Sequence, residues 1–399
     1  MGKLASSLLR ICHNWGMPSR FAPEPTLPAG QPERLAVLLC NLGTPDAPTT
    51  SAVQRYLAQF LSDDRVVEIP KPVWKLILHG IVLRKRPAES AKKYASIWDA
   101  ELGSPLLHWT RRQAEILQEW MRGAGYDVLV SYAMRYGKPS IAKQLDALKA
   151  QGATRILILP LYPQYSGTTT ASVCDAVYDW AKTQRHIPEL RFVNRYHNDP
   201  GYIEALAQRV MQHWQTQGMG RHLVMSFHGV PERTRDLGDP YQAQCLETAR
   251  LLAERLGLPQ EQFTITFQSR FGKAKWLEPY TEPTLVALAQ AGIHGVDVIC
   301  PGFTSDCIET LEEINQEARA AYLQAGGKQF HFITCLNDTP FWIDALRTLT
   351  VRHTAGWPVQ AYVAPAATPA PAPQPDTADV AVEPEMESAP TSTPPATNA

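Results

Sequence analysis

Asp127-Val-Leu-Val-Ser-Tyr-Ala-Met-Arg-Tyr-Gly137 joins an apolar, strand-like run to an Arg-Tyr-Gly turn, and the same design recurs later in the chain. The second copy is Phe263-Thr-Ile-Thr-Phe-Gln-Ser-Arg-Phe-Gly272, in which Arg270 follows Arg135 by 135 residues. After each copy comes a helical stretch and then an apolar run that ends at a proline, Pro160 or Pro301. Near-constant spacing with matching residue types predicts two duplicated α/β halves.

Short runs rich in Val, Ile and Leu alternate with helical patterns along most of the chain. Because these runs lack strict polar–apolar alternation, they are typical of strands buried on both faces of a parallel sheet. We therefore predict an α/β fold of two similar Rossmann-like lobes, each a four-stranded parallel sheet flanked by helices, with a cleft between them. The runs are Leu35–Leu39, Asp127–Tyr132, Ile156–Leu159, Arg191–Val193, His222–Phe227, Phe263–Phe267, Val296–Ile299 and Phe330–Ile333.

Composition excludes several classes of function. The 399 residues carry 38 Lys and Arg against 39 Asp and Glu, so nothing indicates a nucleic-acid partner. The seven cysteines are scattered without the spacing of a zinc or redox site. The apolar patch Leu4–Leu9 is too short for a secretory signal, and no run is long enough to span a bilayer. We expect a cytoplasmic location.

Changes in composition divide the chain. Residues 1–33 are predicted to be a flexible N-terminus, and the Pro/Ala-rich tail 356–399 is predicted to be disordered because it has too few large apolar residues to offset its ordering entropy. Between them we expect an N-terminal lobe, 34–200, and a C-terminal lobe, 201–352, that carries the metal site.

One segment breaks the symmetry of the halves, an insertion at about 50–110 in the first lobe. It contains Trp74–Leu83, mostly apolar, followed by Arg84-Lys85-Arg86. Apolar residues beside a basic triplet are typical of a segment that lies on an anionic membrane or forms the rim of an apolar ligand site. An ordinary buried helix with a solvated charged end explains the pattern equally well.

His228 ends a predicted strand and is followed by Gly229 and Pro231, which force the chain to turn. In doubly wound sheets, ligands bind at the carboxyl ends of the strands. An imidazole at that position can bind a metal ion or accept a proton near neutral pH. The alternative is a structural histidine.

An acidic row follows another predicted strand of the same half, Val296–Ile299. Asp306, Glu309 and Glu313 are spaced by three and four residues, which places them on one face of an α-helix. Acidic residues at the start of a helix are also stabilised by its dipole, and many acidic faces are merely solvated. Together with His228, however, one glutamate would form an incomplete N/O ligand set that suits a metal ion in transit.

The first half offers a different chemistry at its strand ends. Arg135, Tyr136, Tyr162 and Tyr165 combine a cation with aromatic rings, which suits a large flat ligand that bears carboxylates. Ser166 belongs to the same cluster, although it can equally cap the next helix. No Gly-rich nucleotide motif follows the first strand.

Six motifs are specific enough to indicate a family. They are Asn41-Leu-Gly-Thr-Pro45, Tyr162-Pro-Gln-Tyr-Ser166, Ser226-Phe-His-Gly-Val-Pro231, Gly238-Asp-Pro-Tyr241, Phe267-Gln-Ser-Arg-Phe-Gly272 and Phe303-Thr-Ser-Asp-Cys-Ile-Glu-Thr-Leu-Glu-Glu313. Through these motifs the chain resembles the ferrochelatase family from about Leu35 to Thr350. The resemblance implies the family's chelatase-like fold and a porphyrin-metallating lyase.

The resemblance implies insertion of Fe²⁺ into protoporphyrin IX with release of two protons, the final step of haem biosynthesis. It implies that His228 and Glu309 are the catalytic and iron-binding pair. It also implies that Asp306 and Glu313 continue a metal or proton path on a wide-turned helix. Trp74 and Leu78 would then belong to the lip of the porphyrin cleft, and residues 70–86 would touch the inner face of the membrane.

The resemblance also sets expectations about cofactors. Some members of the family hold an iron–sulfur cluster through four cysteines. Here no cysteine follows Cys335, and Gly167 stands where some relatives have a ligand cysteine, so no cluster is expected. Fe²⁺ is a substrate, and no prosthetic group is expected. Two alternatives stay open: a cobalt or nickel chelatase for another tetrapyrrole, and a non-catalytic tetrapyrrole or metal carrier.

Overall fold

The computed structural model describes residues 21–27, 32–219, 221–272 and 274–362. Most of the predicted flexible N-terminus and most of the predicted Pro/Ala-rich tail therefore lie outside the described residues. The part of the chain up to Tyr362 is one compact unit.

Two four-stranded sheets form the centre of this unit, and every strand pair within them is parallel. The strand order is β2-β1-β3-β4 in the first sheet and β6-β5-β7-β8 in the second, so the two halves repeat one topology. The predicted fold class is confirmed. The strands are β1 (Arg34–Gly43), β2 (Val128–Tyr136), β3 (Ala153–Pro160), β4 (Glu189–Phe192), β5 (His222–His228), β6 (Phe263–Gln268), β7 (Gly295–Ile299) and β8 (Gln329–Ile333).

Helices connect successive strands, and several show clear sequence signals for where they begin. The helix that starts at Pro200 is one example: the Asp199 carboxylate accepts hydrogen bonds from the N–H groups of Gly201 and Tyr202. The α-helices are α1 (Thr50–Phe60), α2 (Lys71–Ile77), α3 (Leu83–Ile97), α4 (Pro105–Gly123), α5 (Ile141–Ala150), α6 (Ser172–Ala181), α7 (Pro200–Gln217), α8 (Glu232–Asp236), α9 (Tyr241–Leu256), α10 (Thr281–Gln290), α11 (Arg319–Gln324) and α12 (Pro340–Thr354).

Within the described part of the chain, three segments are π-helices, in which each hydrogen bond spans five residues. They are Leu78–Val82 in the insertion, Gly167–Ala171 after β3, and Glu309–Ala318 after β7. The last, ten residues long, confirms the wide-turned helix that was expected in the acidic segment, and we refer to it as the long π-helix.

The largest hydrophobic cluster contains residues of both sheets, for example Leu157 of β3 and Phe227 of β5. Side chains of α4, α7, α9 and α12 complete this cluster, so these helices lie between the two sheets and join them through one core. The shared core fixes the strand ends of one half relative to those of the other, which is what a site built from both halves requires.

Among the described residues, no helix is both long enough and apolar enough to cross a membrane.

Candidate active site

His228 ends β5 after five fully buried residues, and its side chain is partly exposed. The next residue, Gly229, is held against β6: its N–H donates to the carbonyl of Gln268 at 2.7 Å, and a Cβ at this position would lie 2.6 Å from that oxygen. Only glycine therefore allows the strand to turn so close to its neighbour.

The tautomer of His228 follows from its contact with Gly229. Nδ1 lies 2.6 Å from the Gly229 carbonyl oxygen, which can only accept a hydrogen bond. In the neutral ring, Nδ1 therefore carries the proton and Nε2 keeps its lone pair. A fixed Nδ1–H and a free Nε2 are what a metal ligand or a proton acceptor needs.

The long π-helix follows β7, the strand that pairs with β5, and starts ten residues after the end of that strand. Because each hydrogen bond in a π-helix spans five residues, residues four apart stay nearly in line along it. Glu309 and Glu313 therefore lie on the same side. The Gln268 side-chain amide donates to the Glu309 carbonyl at 2.8 Å, which attaches the start of this helix to β6.

Glu313 is held by Ser269, whose N–H and hydroxyl both donate to its carboxylate at 2.5 Å. Burial raises the pKa of the Glu313 carboxyl above its ordinary value, and the Glu309 carboxylate adds to the increase. The Ser269 hydrogen bonds and the positive charge that His228 can carry act in the opposite direction. The charges of His228 and Glu309 thus affect Glu313, and all three side chains are partly exposed.

Asp306 is not part of the acidic face that the α-helical spacing predicted. It precedes the helix and is buried, with its carboxylate accepting hydrogen bonds from the Asn337 amide at 2.7 Å and the Cys335 N–H at 3.1 Å. Thr310 donates to it as well. These contacts give Asp306 a structural role at the start of the long π-helix, and its part in a metal or proton path stays a prediction.

Arg135 and Tyr136 belong to a polar network that sequence reasoning missed. Asp63, from the insertion, accepts from the Arg135 guanidinium at 2.6 Å and from the Tyr136 hydroxyl at 2.7 Å. Ser172 donates to the same oxygen. Burial acts to raise the pKa of Asp63, but the hydrogen bonds from Ser172 and Tyr136 outweigh it and hold that pKa below its ordinary value. Tyr136 is fully buried, so the structure does not support a direct ligand contact for its ring.

The segment after β3 lies beside this network. The Tyr162 hydroxyl is buried and has no hydrogen-bond partner among the described residues. Tyr165 remains partly exposed, and its N–H donates to Gln244 of α9. Ser166 is buried, caps the π-helix Gly167–Ala171 and donates to Asp239 at 3.1 Å. The capping role that the sequence left open is therefore observed for Ser166.

The insertion presents a different apolar face from the expected one. Leu78 is only 1% exposed, and the Trp74 indole N–H donates to the Leu61 carbonyl, so both side chains attach the insertion to its own small core. The exposed apolar side chains are instead Leu76 (77%) and Ile81 (55%), together with Val73. The predicted porphyrin contacts of Trp74 and Leu78 are not supported, because these side chains face inward.

A cavity of only about 10 Å³, room for about one water molecule, lies directly against Glu309. It is smaller than most ligand pockets, which span roughly 300–1,000 Å³, so it does not hold a tetrapyrrole as it stands. Its lining joins the end of β1, the insertion helix α3, the start of α4 and the segment before the long π-helix. The residues are Gly43, Thr44, Tyr94, Ile97, Ser104, Leu106, Cys307, Ile308 and Glu309.

Lys93 of α3 is a further residue that sequence reasoning missed. Its ammonium group lies 3.1 Å from Glu312 and 2.6 Å from Glu317, both on the long π-helix. The insertion therefore covers Glu309 and is tied to the helix that carries it. No sequence signal identifies this pairing, since the partners are more than 200 residues apart.

The chain is similar to several known proteins. The family model described as Ferrochelatase matches residues 34–354. The ferrochelatase of Polaromonas sp. strain JS666 is 67% identical over 345 residues, covering 86% of this chain and 94% of that protein. That of Methylibium petroleiphilum is 65% identical over 348 residues, covering 87% and 96%. Among solved structures, SirB from Bacillus subtilis with Fe³⁺ aligns with a TM-score of 0.49 and 13% identity, covering 81% of this chain and 96% of that one.

Proposed function

Because the chain belongs to the ferrochelatase family, it is a metal chelatase of haem synthesis, a lyase, and we propose that it inserts Fe²⁺ into protoporphyrin IX with release of two protons. The observation that carries this proposal is the attachment of His228, Glu309 and Glu313 to the end of β6. The N–H of Gly229, next to His228, donates to the Gln268 carbonyl, the Gln268 amide donates to the Glu309 carbonyl, and Ser269 holds the Glu313 carboxylate. The three side chains combine a proton acceptor with anionic ligands for a divalent ion.

The reaction exchanges two pyrrole N–H protons for one divalent ion, so the charge of the macrocycle does not change. Nε2 of His228 is free to accept one of these protons, because Nδ1 is fixed by the Gly229 carbonyl. Glu309 and Glu313 offset the charge of Fe²⁺ as it loses water. Of the two, Glu313 is the more constrained, since Ser269 holds both of its oxygens.

The macrocycle requires more space than the cavity against Glu309 provides. We propose that the insertion helices shift to admit it, because α3 contributes Tyr94 and Ile97 to the cavity wall. In this proposal Tyr162 and Tyr165 remain candidates for contact with the porphyrin, and Arg135 binds a propionate only if that group displaces Asp63. The exposed Val73, Leu76 and Ile81 favour the less carboxylated protoporphyrin over coproporphyrin.

The test is an anaerobic assay with the full chain. Fe²⁺ is supplied with protoporphyrin IX or coproporphyrin, and Co²⁺ and Ni²⁺ are supplied in competition. Metallation is followed by the change in the visible Q-band pattern. The proposal predicts that Fe²⁺ enters protoporphyrin fastest. Preference for Co²⁺ or Ni²⁺ would favour a different tetrapyrrole chelatase, and binding without any Q-band change would favour a carrier.

A further inference from the structure

Three side chains meet on the other flank of the second half. Asp297 of β7 and His331 of β8 are directly opposed in the parallel register, so their side chains leave the sheet on the same face. His213, near the end of α7, lies against that face. One ligand atom from each residue lies within 4.8 Å of the other two.

The distances within this group are unusual for hydrogen bonds. His213 Nε2 and His331 Nδ1 each lie 3.4 Å from the same Asp297 oxygen, Oδ1. Neither nitrogen atom has a hydrogen-bond partner among the residues that the structure describes, although both atoms are buried. A hydrogen bond between such atoms would be about 2.7–3.2 Å long. Two buried, unpaired nitrogens that converge on one carboxylate therefore need another explanation.

A bound metal ion would explain the positions of the two unpaired nitrogen atoms. A tetrahedral ion with bonds of about 2.1 Å holds its ligand atoms roughly 3.4 Å apart, which is the spacing observed on both sides of Asp297 Oδ1. Two imidazoles and one carboxylate are an open, three-ligand set that leaves a fourth position for water. Such N/O sets suit Zn²⁺, Co²⁺ and Fe²⁺.

The surroundings of Asp297 are already ordered. Its carboxylate is fully buried, with the Trp214 indole N–H donating to Oδ2 at 2.9 Å and the Arg221 guanidinium donating to Oδ1 at 2.8 Å. Outer hydrogen bonds of this kind orient ligating carboxylates in metal sites. Arg221 also cancels the negative charge of Asp297, so a bound cation would be held less tightly than in a site without that arginine.

The group lies close to the surface of the fold. The His331 side chain is 27% exposed and that of His213 is 15% exposed, although the two nitrogen atoms that face Asp297 are buried.

This group is separate from the candidate active site. Asp297 is paired in register with Leu223 near the start of β5, whereas His228 ends that strand five residues later. At about 3.3 Å per residue, the two positions are roughly 17 Å apart along the sheet. Leu35 of β1 is the counterpart of Leu223 in the first sheet. Leu35 pairs with Arg155, so an arginine stands where the second sheet has Asp297. The group is therefore a feature of the second half alone.

We propose that His213, Asp297 and His331 form a second metal site, which binds a divalent transition-metal ion such as Zn²⁺ or Co²⁺ with water as the fourth ligand. Binding stabilises the fold, because the ligands come from a helix and two strands that are brought together only in the folded chain. The proposal does not depend on the reaction assigned to the His228 site.

Co²⁺ titration of the full chain tests this site. The visible absorption bands of tetrahedral Co²⁺ are recorded in a His228→Ala variant, to reduce binding at the other site, and in the same variant with His331→Ala. We expect the Co²⁺ bands in the His228→Ala variant and their loss when His331→Ala is added. The affinity of any other Co²⁺ site in the protein should be the same in both variants. His222→Ala is the matched control, since that histidine begins β5 and contacts Thr264 instead.

Two further variants keep the test decisive. Arg221→Gln removes the competing charge and should tighten Co²⁺ binding about tenfold, which is about 1.4 kcal/mol. If His331→Ala is poorly folded, as judged by circular dichroism, His213→Asn is used in its place. Equal Co²⁺ spectra and affinities in the presence and absence of these histidines would overturn the proposal, as would Co²⁺ or Zn²⁺ raising the Tm of the histidine variants as much as that of their parent.

Discussion

Asp63 is the residue on which the polar cluster of the first half depends. Its carboxylate, mostly buried, receives the guanidinium of Arg135 and the hydroxyls of Tyr136 and Ser172. Without the negative charge, Arg135 would be left partly buried and unpaired, which costs more than the net value of the pair itself. The network therefore stabilises the contact between the insertion and β2.

Asp63→Asn should lower the free energy of unfolding by about 2 kcal/mol at neutral pH, the value of a hydrogen bond to a charged group. Since the pKa of Asp63 in the folded state is below its ordinary value, its stabilisation is fully present above about pH 3.9 and is lost as the pH falls through the lower, folded-state pKa. Urea unfolding over a pH series should therefore show the two proteins converging in acid. A difference in unfolding free energy between the two proteins that does not change with pH would contradict the ionic role of Asp63.

Single residues were the hardest to predict from the sequence. The position of His228 at a strand end followed from the buried run before it, and the structure places it there. The partner of Arg135 did not follow, because Asp63 lies 72 residues away in the insertion. The role of Ser269 was not predicted either: it adopts a positive φ of 66° and holds Glu313 with two hydrogen bonds.

At the scale of elements, the repeated strand order was accessible from the sequence because buried parallel strands leave a strong hydrophobic signal. The sequence did not reveal which side of the insertion helices faces the core. Trp74–Leu83 is apolar nearly all round and has no polar face to orient it. The long π-helix also lies beyond pattern reasoning: the three-and-four spacing fits an α-helix, and it wrongly placed Asp306 on the face of Glu309.

The loop after β1 requires glycine at position 43. Its φ is +116°, and a Cβ there would lie 1.8 Å from the carbonyl oxygen of Tyr136. Gly43→Ala should therefore destabilise the protein by more than about 3 kcal/mol. Gly80→Ala is the control: no atom lies within 4 Å of the added carbon, so a change within about 0.5 kcal/mol is expected. Similar losses in thermal unfolding for both variants would refute the argument.

Lys93 joins the insertion to the long π-helix. Lys93→Met should cost about 1–2 kcal/mol of stability, because the pair with Glu317 is exposed but the buried Glu312 loses its cationic partner. If the insertion must move to admit the macrocycle, the variant should bind porphyrin several-fold faster in stopped-flow fluorescence quenching. Arg255→Met, which breaks a comparable pair with Glu204, should leave that rate unchanged. An association rate equal to the wild-type rate in Lys93→Met would argue against a moving insertion.

At the scale of the whole molecule, the two halves share a topology and a core but carry different chemistry at their strand ends. The first half supplies the insertion and the Asp63 network, while the second supplies His228 and the long π-helix. Duplication was visible from the sequence because spacing is preserved. The different roles of the two halves could not be predicted, because they depend on side chains that are distant in sequence and meet only in the folded protein.

The exposed apolar side chains of the insertion predict contact with anionic membranes. Leu76 and Ile81 are exposed and precede the basic Arg84 and Lys85 by a few residues in the sequence. The double variant Leu76→Ser, Ile81→Ser should reduce binding to anionic vesicles roughly tenfold in a flotation assay. Val351→Ser, an exposed apolar residue on α12, is the control. Unchanged flotation of the double variant would show that this face does not contact the membrane.

The most direct measurement is the rate of Fe²⁺ insertion by His228→Ala under anaerobic conditions, with porphyrin affinity measured in parallel by fluorescence quenching. If Nε2 of His228 accepts a pyrrole proton beside Glu309 and Glu313, metallation should fall at least about 100-fold while porphyrin affinity changes little. His222→Ala, at the other end of β5, should retain the wild-type rate of Fe²⁺ insertion and the wild-type porphyrin affinity. Metallation at the wild-type rate in His228→Ala would contradict the account.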